Sequence, residues 1–158
     1  MLIPPYNRRR RLPHYQPDDK PLLVNFRVAK TLVLPPAARA LVLQSCLREH
    51  LQRVRLYAAV VMPDHVHLLF SPLRDADTRS YHLAVILQSV KGSSAHAVNK
   101  LLNRQGPVWQ EEYFDYVVRS YEGLRAKIEY IRQNPVRKGL VRTPEEYEWL
   151  WDKYETLE

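Results

Sequence analysis

The 158-residue chain has one cysteine, Cys46, and cannot close a disulfide within itself. It also lacks any apolar run near the ~20 residues needed to cross a bilayer, which excludes a membrane-spanning helix. No internal repeat or low-complexity tract is present, so a repeat array is not expected. The first residues are prolines and arginines where a secretory leader needs an apolar stretch; with the lone thiol, this points to a soluble protein of a reducing cytoplasm. Acidic side chains are scarce over most of the chain. Of 17 Asp and Glu residues, six (Glu145, Glu146, Glu148, Asp152, Glu155, Glu158) fall in 143–158, where Lys153 is the one basic residue. The remaining 142 residues carry 23 basic and 11 acidic side chains. A body this basic favours a polyanionic partner, but charge alone does not separate a nucleic-acid binder from other basic proteins.

The length suits one domain with short extensions. Residues 1–20 contain four prolines and the run Arg8, Arg9, Arg10 and Arg11, and read as an extended basic arm without regular structure. These four guanidinium groups have no periodic apolar partners, so they are expected to meet phosphates or a groove of DNA. A domain over 21–142 follows. Leu22 to Val28 reads as a strand, and Pro35-Pro36 opens a helix expected from Ala37 to Arg53. Leu56 to Met62 and His65 to Ser71 read as strands joined by a Pro63-Asp64 turn, hence a hairpin. A helix over Ser80 to Asn103, weakened at Gly92, and a strand over Tyr113 to Arg119 come next. Ser120 caps a helix from Tyr121 towards Asn134, where Pro135 is expected to stop it. Thr143-Pro144-Glu145-Glu146 then opens a short acidic helix over 143–158. Strand, helix, strand, strand, helix, strand predicts an α+β, ferredoxin-like antiparallel sheet with helices on one face and extra C-terminal helices. That fold is functionally neutral, so function must come from the groups placed on it.

Two groups of residues carry chemistry. In Met62-Pro63-Asp64-His65-Val66-His67, the histidines are separated by one apolar residue on a strand, so both imidazoles point to one face and can share a metal ion. Two hydrogen-bonded structural histidines would give the same bare spacing. Mg²⁺ or Mn²⁺ also needs oxygen ligands; Asp64 is close by, but its place after Pro63 suits a turn better. The second group is Tyr130 and Asn134, four residues apart and so on one helix face. With Leu124, Ile128 and Ile131 as the buried stripe, Tyr130 lies roughly 120° from its centre, which disfavours a purely structural role. Asn134, or Gln133 if the helix ends early, can supply the missing oxygen. A phenol with a pKa of about 10 needs metal and basic neighbours to attack a phosphodiester. Arg119, Arg125, Lys127, Arg132, Arg137, Lys138 and Arg142 stand around it, and Arg132, Arg137 and Lys138 are taken as DNA contacts.

Arg11-Leu12-Pro13-His14, Met62 to Leu69, Lys91-Gly92, Val108-Trp109-Gln110, Phe114-Asp115 and Tyr130 to Leu140 together resemble the REP-associated tyrosine transposases, a branch of the single-tyrosine HUH superfamily. The resemblance covers nearly the whole chain in order. It implies a ferredoxin-like nuclease and strand transferase for single-stranded or hairpin DNA, using Mg²⁺ or Mn²⁺. Tyr130 is the implied nucleophile, and His65, His67 and Asn134 are the implied metal ligands. Related insertion-sequence transposases carry glutamine where Asn134 stands. The resemblance also implies REP-type palindromes as substrate, with the basic arm and Lys91 among the DNA contacts, a monomer, and a place near the bacterial nucleoid. A hairpin-binding protein that has lost catalysis is the alternative; a water-using hydrolase and an RNA-binding module rank below it.

Overall fold

The computed structural model describes residues 8–10 and 20–154. Six strands form one antiparallel sheet: β1 (Arg8–Arg10), β2 (Leu22–Val28), β3 (Val54–Val61), β4 (His65–Pro72), β5 (Trp109–Val117) and β6 (Leu150–Asp152), in the order β1-β5-β2-β4-β3-β6. Three helices accompany them: α1 (Pro36–Arg48), α2 (Leu83–Leu102) and α3 (Tyr121–Arg137). Removing the short outer strands leaves β5-β2-β4-β3 with α1 and α2 as the crossovers, the expected split βαβ arrangement.

Strand β2 alternates, burying Leu22, Val24, Phe26 and Val28 against α1 and α2. Central β4 is buried throughout because both of its faces are covered. Val66, Leu68 and Phe70 join the α1/α2 core, whereas Leu69 joins a second core with Leu124, Ile128 and Ile131 of α3. The crossover helices α1 and α2 therefore share one face, as the sequence pattern suggested, and the additional helix α3 lies on the other side, the side of His65 and His67. A bulge between Leu56 and Ala58 in β3 reverses its alternation. Val54 and Leu56 face α1 and α2 before it, and Ala58 and Val60 face α3 after it.

Several element boundaries differ from expectation. Helix α1 ends at Arg48 instead of Arg53: Leu51 adopts a left-handed backbone (φ 65°), and the Glu49 carbonyl takes N–H bonds from Gln52, Arg53 and Val54, which turns the chain into β3. Strand β5 starts four residues early, at Trp109. Helix α3 runs through Pro135 to Arg137. Its actual stop is Gly139 at φ 73°, where the Leu140 N–H bonds the Pro135 carbonyl at 3.0 Å, a closure that favours glycine. The expected acidic helix at 143–158 is instead a single 3-10 turn, Pro144–Glu146, followed by β6 on the edge of β3. Trp149, Leu150 and Trp151 suit a half-buried strand better than a helix. In the N-terminal region, Arg8–Arg10 form an edge strand on β5 where an arm without regular structure was expected; Arg11 lies outside the described residues.

Candidate active site on the α3 face

The β3–β4 turn fixes the histidines. The Met62 N–H bonds the His65 carbonyl at 2.8 Å, and the turn's own carbonyls are held from outside, Asp64 by the Val28 N–H (3.0 Å) and Pro63 by the Leu34 N–H (2.8 Å). His65 and His67 then project to the α3 face, both buried, with ring centroids 4.9 Å apart. Across the gap, Tyr130 on α3 meets His67 edge to face with centroids 5.8 Å apart. The structure thus brings together the phenol and the histidine pair, separated by 63 positions in the chain.

Asp64, set aside above as a turn residue, belongs to this site. Its Oδ1 lies 2.6 Å from His65 Nδ1, and its Oδ2 is 3.4 Å from the Arg27 guanidinium. Burial lowers the His65 pKa and outweighs the upward pull of Asp64, so the ring is neutral at pH 7 and donates Nδ1–H to the carboxylate. Burial raises the pKa of Asp64, but the hydrogen bond and charge of the His65 ring, with Arg27, bring it below the ordinary value. Since that ring is neutral at pH 7, the hydrogen bond and Arg27 are the causes that hold there. With Nδ1 committed, His65 Nε2 carries the lone pair, the orientation that carboxylates impose on metal-binding histidines. The adjacency of Asp64 and His65 was the available sequence signal. His67 is pushed down to about 3, first by burial and then by neighbouring positive charge from His65, Arg137, Arg27 and Lys138. Its Nδ1 is buried with no hydrogen-bond partner among the described residues.

Asn134 lies one turn beyond Tyr130, inside α3 and buried, so the helix does not end before it. Gln133 is drawn away, donating to Glu129 at 2.8 Å. Pro135 lacks the N–H that would bond the Ile131 carbonyl; one residue earlier, the Tyr130 carbonyl receives a bond from Arg137 Nη2 at 3.0 Å. The same guanidinium lies 4.4 Å from the Tyr130 ring centroid, and the Lys127 ammonium lies 5.9 Å from it. Among the described residues, no group of three or more His, Cys, Asp and Glu side chains is arranged to hold a metal ion. The unpartnered nitrogen of His67, the oriented lone pair of His65 and the amide oxygen of Asn134 are nevertheless donors of the kind that could hold a divalent cation completed by water and phosphate oxygens.

The expected DNA contacts divide. Arg137 and Lys138 are exposed at the end of α3, beside the site. Arg132 is instead enclosed by Glu129 (3.3 Å), Glu145 (2.8 Å) and Asp152 (3.0 Å), tying α3 to the acidic segment. Lys91 sits on α2, donates to the Gln110 carbonyl at 2.7 Å and stacks on Phe26, so it faces the core away from Tyr130. Arg8 to Arg10 are placed by backbone pairing alone, opposite Asp115, Phe114 and Tyr113.

Fold and site define an α+β protein of the ferredoxin-like class in which a strand-borne histidine pair faces a helix-borne tyrosine. The chain belongs to the IS200-like transposase family, which matches residues 32–134. A relative from Haemophilus influenzae, provisionally named REP-associated tyrosine transposase, is 25% identical over 95 residues, covering 57% of this chain and 54% of the relative. The chain therefore spans about half the length of that relative. A solved REP-associated tyrosine transposase bound to a REP hairpin shares the fold, with a TM-score of 0.69 and 18% identity over 87% of this chain and 79% of that one. A bacterial tRNA(His) guanylyltransferase-like protein in complex with GTP is more distant, with a TM-score of 0.52 and 13% identity over 78% of this chain and 65% of that one. No helix among the described residues is long and apolar enough to cross a membrane.

Proposed function

We propose that this chain is a metal-dependent endonuclease and strand transferase for single-stranded DNA, acting on hairpins of the REP type through Tyr130. The observation that carries the reading is the perpendicular contact of Tyr130 and His67, 5.8 Å between centroids, which sets a nucleophile beside a buried nitrogen donor. His65, His67 and Asn134 would hold Mg²⁺ or Mn²⁺, and the bound ion would supply Lewis-acid polarisation of the scissile phosphate. Tyr130 Oη bonds to phosphorus and gives up its proton to water. The P–O3′ bond breaks, and the departing 3′ oxygen takes a proton to become a hydroxyl. The resulting 5′-phosphotyrosine keeps the ester bond, so a 3′-hydroxyl can later displace Tyr130 and rejoin DNA without ATP. Arg137 and Lys138 supply positive charge for the backbone beside the site.

The basic segment at 1–20 serves affinity for the hairpin foot, 21–142 forms the nuclease domain, and the acidic 143–158 braces α3. A monomer working on nucleoid DNA in the cytoplasm is the matching setting. The test is a hairpin-bearing single-stranded oligonucleotide incubated with Mn²⁺ and resolved under denaturing conditions. The parental protein should form a covalent adduct, whereas Tyr130→Phe should form none and still bind the hairpin. Hairpin binding without any adduct from the parental protein would replace this reading with a non-catalytic hairpin-binding protein.

A further inference from the structure

Lys127 precedes Tyr130 by three residues on α3 and is 6% exposed. Its ammonium lies 4.9 Å from the Tyr116 ring centroid and 5.9 Å from that of Tyr130, and among the described residues it meets no carboxylate and no hydrogen-bond acceptor. The other cations of α3 are occupied: Arg132 by three carboxylates, Arg137 by the Tyr130 carbonyl, and Arg125 by the Tyr121 hydroxyl and the Tyr154 ring. Burial pushes Lys127 below the ordinary lysine value, with no opposing acidic neighbour. A charge withdrawn from water without a counter-ion destabilises the protein that carries it. Aromatic faces offset part of that penalty but supply no acceptor for the ammonium protons. The ammonium lacks an anion, and it lies beside the tyrosine proposed to meet a phosphodiester.

We propose that Lys127 is a phosphate-binding residue of the active site, its ammonium receiving a non-bridging oxygen of the phosphodiester that Tyr130 attacks. This rests on the reading of Tyr130 as nucleophile and deepens it. The phosphate completes the ammonium's hydrogen bonding, and the ammonium holds the phosphorus at the phenol. Lys127 shares the tyrosine's helix face, so phosphate and nucleophile are placed by one rigid element.

The experiment separates binding from chemistry. The cleavage position is mapped with the parental protein and Mn²⁺. Affinity is then measured without metal in the Tyr130→Phe background, on oligonucleotides in which each phosphate in turn is replaced by a neutral methylphosphonate. Lys127→Met should weaken binding to the unmodified strand about tenfold, as expected for a hydrogen bond to a charged group, and should lower the salt slope by about 0.7. The Lys127→Met effect should vanish when the cleaved phosphate is neutral and persist when any other is. Thermal unfolding followed by circular dichroism should show the variant melting no lower than the parent, since an uncompensated charge is gone. Lys127→Gln repeats the comparison should the methionine variant not fold. Parental affinity and slope, coupling to a phosphate other than the cleaved one, or equal losses of stability and binding in both variants would overturn the proposal. Absence of cleavage by the parental protein would instead overturn the reading of Tyr130, while coupling of Lys127 to a single phosphate in the same scan would leave the anion site standing.

Discussion

Removing the Asp64 carboxylate should weaken metal binding without touching the metal ligands. Its Oδ1 accepts from His65 Nδ1 at 2.6 Å, and this bond fixes which nitrogen of the ring carries the lone pair. Carboxylates in this position typically change metal affinity by 10- to 100-fold when replaced, about 1.4–2.7 kcal/mol. The Asp64 side chain is 56% exposed. Water can therefore replace part of the interaction, and Asp64→Ala should fall at the lower end, about tenfold. Asp64→Asn keeps an acceptor oxygen without the charge and should lie between parent and alanine. The assay is a Mn²⁺ titration of adduct formation on the hairpin oligonucleotide, paired with calorimetric Mn²⁺ binding in the Tyr130→Phe background. Excess Mn²⁺ should restore the Asp64→Ala rate, and metal-free hairpin affinity should stay parental. An unchanged Mn²⁺ midpoint in a folded Asp64→Ala protein would refute the argument and leave Asp64 as a turn residue only.

Asn134→Ala should weaken Mn²⁺ binding and adduct formation more than Gln133→Ala, because Asn134 is buried one turn from Tyr130 while Gln133 is held by Glu129; calorimetry on both variants reads the ranking. Arg132→Ala should lower stability by about 2 kcal/mol in urea denaturation, since it leaves the largely buried Asp152 carboxylate without this partner, yet leave hairpin affinity within about twofold. The metal-free protein should lose stability as the pH falls below about 6.5, because unfolded His67 takes up a proton there while the folded side chain resists until about 3. The stability His67 contributes is thus full above about 6.5 and lost on acidification; in urea melts across this range, His67→Gln should flatten the dependence.

The split βαβ order and the site's two halves were legible because each rests on local pattern. A run of apolar, β-forming residues marked β2, a two-residue turn marked the hairpin, and spacings of two on a strand and four on a helix placed the histidines on one face and joined Tyr130 to Asn134. What escaped depended on long-range packing. Nothing in the periodicity of α3 says which face of the sheet it covers; that follows from the bulge near Tyr57, which turns Ala58 and Val60 towards Ile128 and Ile131. Pro135 was read as a terminator by its local rule, but burial of Asn134 and Pro135 against the sheet and the glycine closure at 139 extend the helix past it. Thr143-Pro144-Glu145-Glu146 carries every signal of a helix start and yields one turn, because Trp149 to Asp152 find the open edge of β3. Arg132 looked like a phosphate contact in a basic stretch until Glu145 and Asp152 were brought to it.

The outermost strands have a further consequence. A sheet ends in rows of unmet backbone N–H and C=O groups, which invite another chain to pair. Here each flank of the four-stranded core is covered by three residues, Arg8–Arg10 on β5 and Leu150–Asp152 on β3. These strips are too short to template a long ladder. Trimming either strip would expose β5 or the apolar β3, turning a self-contained sheet into a surface for edge-to-edge aggregation.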